Sequence, residues 1–260
     1  MRILVPGLPR LAGLAALVIV SACSADSVLG PPTSANYAKG GHKPPPPPPP
    51  PPPSHDPILF VHGLNASSST WTTMVSRFTQ DGWTSAELVN WSYDYTKSNA
   101  TTAGLISKKV DSILKATGAT KVDIITHSMG AMSARYYVRN LGGDGKVDAL
   151  VTLGGANHGT TTASLCSFIW VSCTEMLPGS TFLANLNAGD ETFGTPRYGA
   201  WWSPCDEVIN PTSSAELLDA SVETACLLHS DLHEDLTVYA QVKGFVTGSP
   251  LPLPVLALAP

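Results

Sequence analysis

Between residues 57 and 247 the apolar positions follow two alternating rhythms. Short apolar runs at 57–63 (PILFVHG), 86–91, 122–126 and 149–153 have the length of buried strands. Between them, residues 70–81 carry Trp71, Met74, Val75 and Phe78 at helical spacing. Residues 101–117 carry Leu105, Ile106, Val110, Ile113 and Leu114 in the same way. A third helix is predicted at 129–141, directly after the third run. Beyond it come an apolar, loop-like insertion at 165–187, a last strand at 222–228 and a closing helix at 232–245. Strands interleaved with helices predict an α/β fold, a single doubly wound and mostly parallel sheet covered on both faces.

The pattern changes outside that segment. Met1, Arg2 and Arg10 flank the ten-residue apolar run LAGLAALVIV, so residues 1–22 read as a secretory signal peptide. The run is short of the roughly 20 apolar residues that a membrane span needs. Val20-Ser21-Ala22-Cys23 resembles the lipobox of bacterial lipoproteins, in which the Cys carries lipid; ordinary cleavage nearby is the alternative. Residues 23–55 then make a spacer. Its ten consecutive prolines, Pro44 to Pro53, form polyproline II of about 31 Å at about 3.1 Å per residue, a stiff stalk or a docking site for a proline-reading domain. The folded domain is expected at 56–247 and a proline-broken tail at 248–260. The expected location is outside the cell, secreted or anchored to the outer face of the bacterial membrane, with membrane contact only through the N-terminal anchor.

Composition narrows the partners. In 260 residues, 43% are hydrophobic, enough for a sizeable core, and the net charge is −5, with no basic surplus to neutralise a phosphate backbone. Nucleic acid is therefore not expected. Setting Cys23 aside leaves Cys166, Cys173, Cys205 and Cys226, an even set in an exported domain. The pairs Cys166–Cys173 and Cys205–Cys226 each close a local loop without threading the sheet. There is no CxxC pair, phosphate loop or dinucleotide fingerprint, so neither metal nor cofactor is expected.

One motif sits where such a sheet presents chemistry. VDIITHSMGAMSARYYV runs from strand through His127-Ser128-Met129-Gly130 straight into a helix, the setting of a nucleophile elbow. Small residues two before and two after the Ser let strand and helix approach. Gly130 meets this, whereas Thr126 stands where Gly is usual. The segments PILFVHGLN, THSMGAMSARYY and LVTLGGANHGT resemble those of small bacterial secreted lipases and esterases of the α/β-hydrolase superfamily, the Bacillus-type class, over residues 57–246. The resemblance implies a minimal α/β-hydrolase fold without a large cap domain, and an ester-cleaving serine hydrolase acting on lipid or small ester substrates as a monomer.

A serine nucleophile needs a base oriented by a carboxylate, here in the chain order Ser, acid, His. Ser128 is the expected nucleophile and Asp206 the acid, 23 residues before His229, with Glu207 as the runner-up. His229, expected at the end of the last strand, is the base. His158 falls too early, and His233 is expected one turn into the closing helix, facing solvent among acids. By family position the oxyanion donors are the backbone N–H groups of Leu64 and Met129, and His62 shapes the loop that carries Leu64. The Cys205–Cys226 bridge would tie the acid loop to the base. The insertion, with Phe168, Ile169, Trp170, Val171, Met176, Leu177, Phe182 and Leu183, either lines the acyl pocket or covers the core. Two other readings stay open, an acyltransferase or thioesterase with the same triad and a catalytically silent binding lipoprotein.

Overall fold

The computed structural model describes residues 55–252; the signal segment, Cys23, the proline stalk and residues 253–260 lie outside the described residues. Six strands form one sheet: β1 (Ile58–Val61), β2 (Leu88–Asn90), β3 (Val122–His127), β4 (Val147–Leu153), β5 (Arg197–Trp202) and β6 (Ser221–Glu223). Their spatial order is β2-β1-β3-β4-β5-β6, and every neighbouring pair is parallel. This is the parallel, doubly wound α/β sheet predicted by the interleaved pattern, in the form of the α/β-hydrolase fold that the resemblance implies.

Alternate residues of each strand serve opposite faces. Ile58 and Phe60 pack with Trp71, Met74 and Phe78 around helix α1 (Thr72–Gln80), and with Val238, Tyr239, Val242 and Phe245 of helix α6 (Leu236–Val246). Leu59 and Val61 face Ala103, Ile106, Val110 and Ile113 of helix α2 (Asn99–Thr117), and Ala134, Tyr137 and Val138 of helix α3 (Gly130–Asn140). Both faces are thus covered, as a parallel sheet requires. Removing one such core aromatic side chain costs about 3–5 kcal/mol.

The chain goes from β1 out to β2 and returns on the other side of β1 to β3, so the order reverses between β1 and β3. The carboxyl ends of those two strands therefore flank the crevice where open parallel sheets place their ligands. Both Leu64, after β1, and Ser128, after β3, sit there.

Four elements differ from the periodicity. No strand is set out at 197–202, where the structure has β5, whose run RYGAWW is interrupted by Gly199. The insertion at 165–187 is not loop-like: it contains helices α4 (Val171–Glu175) and α5 (Thr181–Leu186), which build a third apolar cluster with Met129, Met132 and Ile209. Helices of five and six residues are too short to display a period, and local chemistry holds them. Ser180 Oγ caps α5 by accepting the Leu183 N–H at 3.2 Å. Glu175 reaches back to accept the Asn99 N–H at the start of α2 at 2.6 Å. β6 ends at Glu223 instead of 228. After the Thr224 N–H bond to Trp202 O, at 2.8 Å, the chain is held by Ser203 Oγ, which accepts the Leu227 N–H at 2.9 Å. α6 begins at Leu236 instead of 232, because Asp235 is extended (φ −66°, ψ 139°) and its carboxylate caps the Val238 N–H at 2.8 Å.

Two disulfides pair Cys166 with Cys173 and Cys205 with Cys226. No helix among the described residues is long and apolar enough to cross a membrane. At the amino edge of the sheet, Asp123 is buried in β3 and accepts the Ala149 N–H at 3.0 Å, where the β3–β4 register shifts. Its carboxyl, with those of Asp56 and Asp148, forms a group within 4.8 Å. Burial first, then Asp56 and Asp148, push the Asp123 carboxyl well above the usual carboxylate range. A carboxyl raised in the fold stabilises below the ordinary value of 3.8 and loses that contribution as pH rises. Asp123→Asn, which keeps an acceptor for Ala149, should therefore raise Tm at pH 7, by about 2–4 °C for each kcal/mol gained. The gain should shrink toward zero as pH approaches 3.8. A lower Tm at pH 7 in a melting series from pH 3.5 to 7.5 would contradict this.

Candidate active site

Ser128 occupies a left-handed turn, φ 57°, between the end of β3 and the start of α3. For a non-glycine residue such a conformation costs of order 1–3 kcal/mol and persists only when its surroundings hold it. Here they do so from three sides. The Ser128 N–H donates to Leu153 O at 3.0 Å, and Ser128 O accepts from both Ala131 N–H and Ala156 N–H at 3.2 Å. A Cβ at Gly130 would lie 2.6 Å from His62 O and 2.7 Å from Val61 O, so glycine there lets α3 start against the end of β1. A Cβ at Gly63 would lie 2.7 Å from Ser128 Cβ, which reserves the space beside the hydroxyl. Thr126, where Gly is usual, is accommodated because its hydroxyl is buried and donates to Val151 O at 2.9 Å.

Asp206 and His229 meet at the same end of the sheet. His229 Nδ1 lies 2.8 Å from Asp206 Oδ2, and the other carboxylate oxygen accepts the Val208 and Ile209 N–H groups at 2.9 and 2.8 Å. Asp206 is an acceptor there, so His229 donates through Nδ1–H and leaves its Nε2 lone pair free to take a proton. Glu207 Oε2 accepts the His229 N–H at 2.9 Å, which makes it a tether of the imidazole's backbone and not its partner. The Cys205–Cys226 bridge spans the two loops, and Ser203 Oγ joins them by accepting the Cys205 N–H at 3.1 Å and donating to Leu227 O at 2.6 Å. His229 does not end a strand: it opens a 3-10 turn, His229–Asp231, after the loop 224–228.

Ser128 and His229 line one cavity of about 340 Å³, together with His127, His233, Leu64, Thr160, Ala163, Met176, Val208 and Ile209. Ser128 Oγ makes no hydrogen bond to a described residue, and catalytic hydrogen bonds are often long without substrate. The N–H groups of Leu64 and Met129 have no acceptor among the described residues, and Leu64 lines the cavity beside Ser128. Of the apolar residues named in the insertion, Met176 reaches the cavity, while Phe168, Ile169 and Val171 are exposed.

The histidines divide by environment. His233 does not face solvent: it precedes α6, is 9% exposed, lies 5.9 Å from the Trp71 ring and 4.7 Å from His127, and lines the cavity. Its acidic sequence neighbours suggested the opposite, and the spacing to His229 across a 3-10 turn was the one available hint. Burial lowers its pKa, partly opposed by Glu234. His127 is held well below the ordinary imidazole value by burial and by the neighbouring His229 and His233. It stays neutral and donates from Nε2 to His229 O at 3.0 Å. His62, also lowered by burial, donates from Nδ1 to Gly63 O at 2.8 Å and stacks on Tyr93, fixing the loop that bears Leu64. His158 is bound to Glu191 at 2.8 Å, away from the cavity.

Among the described residues the group of side chains spaced for a metal ion is Asp56, Asp123 and Asp148, at the opposite edge of the sheet, where Arg197 and Lys121 pair with Asp148.

Solved structures share this architecture. The mature form of Bacillus licheniformis lipase BlEst2 superposes with a TM-score of 0.65 at 17% identity, over 75% of this chain and 94% of that one. Aspergillus fumigatus lipase B gives 0.65 at 14% identity over 77% of this chain, which spans 54% of that protein. An Exiguobacterium antarcticum esterase gives 0.56 at 14% identity, over 75% and 93%. At these identities the likeness is one of fold. Residues 55–243 match the family described as lipase (class 2), and over that span, nearly the whole of the folded domain, the chain belongs to the class 2 lipase family.

Proposed function

We propose that this protein is an exported carboxylic-ester hydrolase whose nucleophile is Ser128, with His229 as base and Asp206 as the acid that orients it. The observation that carries the reading is the Nδ1–Oδ2 bond of 2.8 Å between His229 and Asp206, at the wall of the cavity into which the strained Ser128 turn opens. In the forward step Ser128 Oγ attacks the ester carbonyl carbon while its proton passes to His229 Nε2. The tetrahedral oxyanion takes hydrogen bonds from Leu64 and Met129 N–H, each worth about 2.7–4 kcal/mol of barrier. His229 returns the proton to the departing alcohol, leaving Ser128 acylated, and water then repeats the sequence to release the acid.

The cavity walls favour an acyl group of modest size. Met176, Val208, Ile209 and Ala163 supply apolar contact, and about 340 Å³ is near the lower end of small-molecule sites. The two disulfides suit an oxidising compartment. The N-terminal signal, the Cys23 anchor and the stalk complete this reading as an enzyme that acts as a monomer and stands clear of the membrane on its own tether.

Ser128→Ala should lower p-nitrophenyl ester turnover by about ten-thousand-fold or more with an unchanged circular dichroism spectrum. A few per cent of retained activity would remove Ser128 as nucleophile. His229→Ala should lose kcat on the same scale, because Ser128 then has no proton acceptor. His233→Ala, which alters only the cavity wall, should change kcat by less than about tenfold. The reverse order of loss in steady-state assays would reassign the base to His233.

A further inference from the structure

His233 stands in the cavity wall without a part in the triad, and the chain holds it there firmly. The Glu234 and Asp235 N–H groups both bond Asp231 O, at 2.9 and 2.8 Å, and Arg77 Nη1 donates to Asp235 O at 3.1 Å. Leu232, fully buried, pins the same turn into the core around α1 and α6. The imidazole lies between the Trp71 ring, 5.9 Å away, and the perpendicular ring of His127, at 4.7 Å. Its Nδ1 is 3.2 Å from Glu234 Oε1, and a carboxylate accepts, so Nδ1 carries the proton. Nε2 is then an acceptor, and it bonds no described residue. Burial lowers the pKa of the ring, which keeps it uncharged at neutral pH.

We infer that His233 Nε2 accepts a hydrogen bond from a free hydroxyl on the alcohol part of the ester, close to the bond that is cleaved, so that monoesters of diols and polyols are preferred substrates. The inference rests on the ester-hydrolase reading and adds to it the class of alcohol. The tautomer selects the partner, because a lone pair facing a cavity is satisfied by a donor and not by an ether or a methyl group. Charge narrows it further. No Asp, Glu, Lys or Arg lines this cavity, so an ammonium, carboxylate or phosphate on the substrate would be desolvated there without an opposite charge, whereas a hydroxyl would not suffer that cost. Position selects the side of the ester. Ala163, Met176 and Ile209 form the apolar part of the wall within one cluster, and Trp71 and Leu232, beside His233, belong to a different one. The acyl chain has the apolar wall. The departing alcohol must lie at His229, which returns its proton, and His233 follows His229 across a single 3-10 turn.

The test uses two dissolved esters of nearly equal size, 2-hydroxyethyl butyrate and n-propyl butyrate, which differ by a hydroxyl in place of a methyl group. In the full chain kcat/KM should favour the hydroxyl ester by about fivefold or more. His233→Leu should bring that ratio to one or below, and His233→Gln, whose amide oxygen can accept in the same place, should keep it above about threefold. The ratio is read within each chain, so a loss of overall activity or of folded protein does not move it. A second arm needs no chemistry: in a Ser128→Ala background, ligand-observed NMR should find the hydroxyl ester bound about threefold or more tighter than the propyl ester, and the difference should vanish when His233→Leu is added. A wild-type ratio near one, a preference that survives His233→Leu, or its loss in His233→Gln as well would each overturn the proposal. Selective binding of the hydroxyl ester without hydrolysis of either would keep the His233 site and lose the catalytic reading. Equal hydrolysis and equal binding of the two esters would lose the His233 site alone.

Discussion

The strained turn at Ser128 is the constraint on which the rest of the site depends. A left-handed serine is unfavourable alone, and it survives because β4, α3 and the loop after β4 all bond its backbone. That arrangement requires close approach. Glycine at 130 lets the first turn of α3 touch the carbonyls that end β1, and glycine at 63 leaves the space beside the hydroxyl open. The same contacts bring the loop after β1, which carries Leu64, against the Ser128–Gly130 turn. The strain therefore has a structural return: it holds the Ser128 hydroxyl at the cavity, beside the loop that carries Leu64.

Asp206 and His229, the acid and base of the proposed triad, are positioned by different means. Neither stands on regular structure, since Asp206 follows β5 by a loop and His229 opens a 3-10 turn. Cross-links replace the ladder there. The Cys205–Cys226 bridge, the Ser203 hydroxyl and the Glu207 carboxylate tie the two loops together within a few residues of the reacting groups. Gly154, at φ 51°, packs against both members of the pair, where a Cβ would lie 3.0 Å from Asp206 Oδ2 and 3.1 Å from His229 Nδ1. Neutral, buried His127 closes the far side of the imidazole at 4.4 Å.

Much of this was legible in the chain. Strands β1 to β4 and helices α1 to α3 announce themselves because long segments packed on one face must repeat their apolar residues. The motif around Ser128 was readable for a related reason, since a strand running straight into a helix leaves no other place for the turn. Apart from β5, whose run RYGAWW is interrupted by Gly199, what the pattern concealed lies in short, side-chain-held segments. α4 and α5 are too brief for a period to emerge, and β6 stops where a serine hydroxyl takes over from the ladder. His233 looked solvent-facing because local charge was read in place of tertiary packing against Trp71. The apolar insertion divided in a way composition does not reveal: Met176 faces the cavity, and Phe168 and Ile169 face outward.

The central claim is that Ser128 attacks the carbonyl carbon. Its most direct test is covalent capture: incubate the wild-type chain with a p-nitrophenyl phosphonate ester, digest it, and locate the adduct by tandem mass spectrometry. The account predicts one stoichiometric phosphonyl group on Ser128, with p-nitrophenol released in equal amount and labelling abolished by His229→Ala. An adduct on another serine, or stoichiometric labelling with Ser128 unmodified, would contradict it.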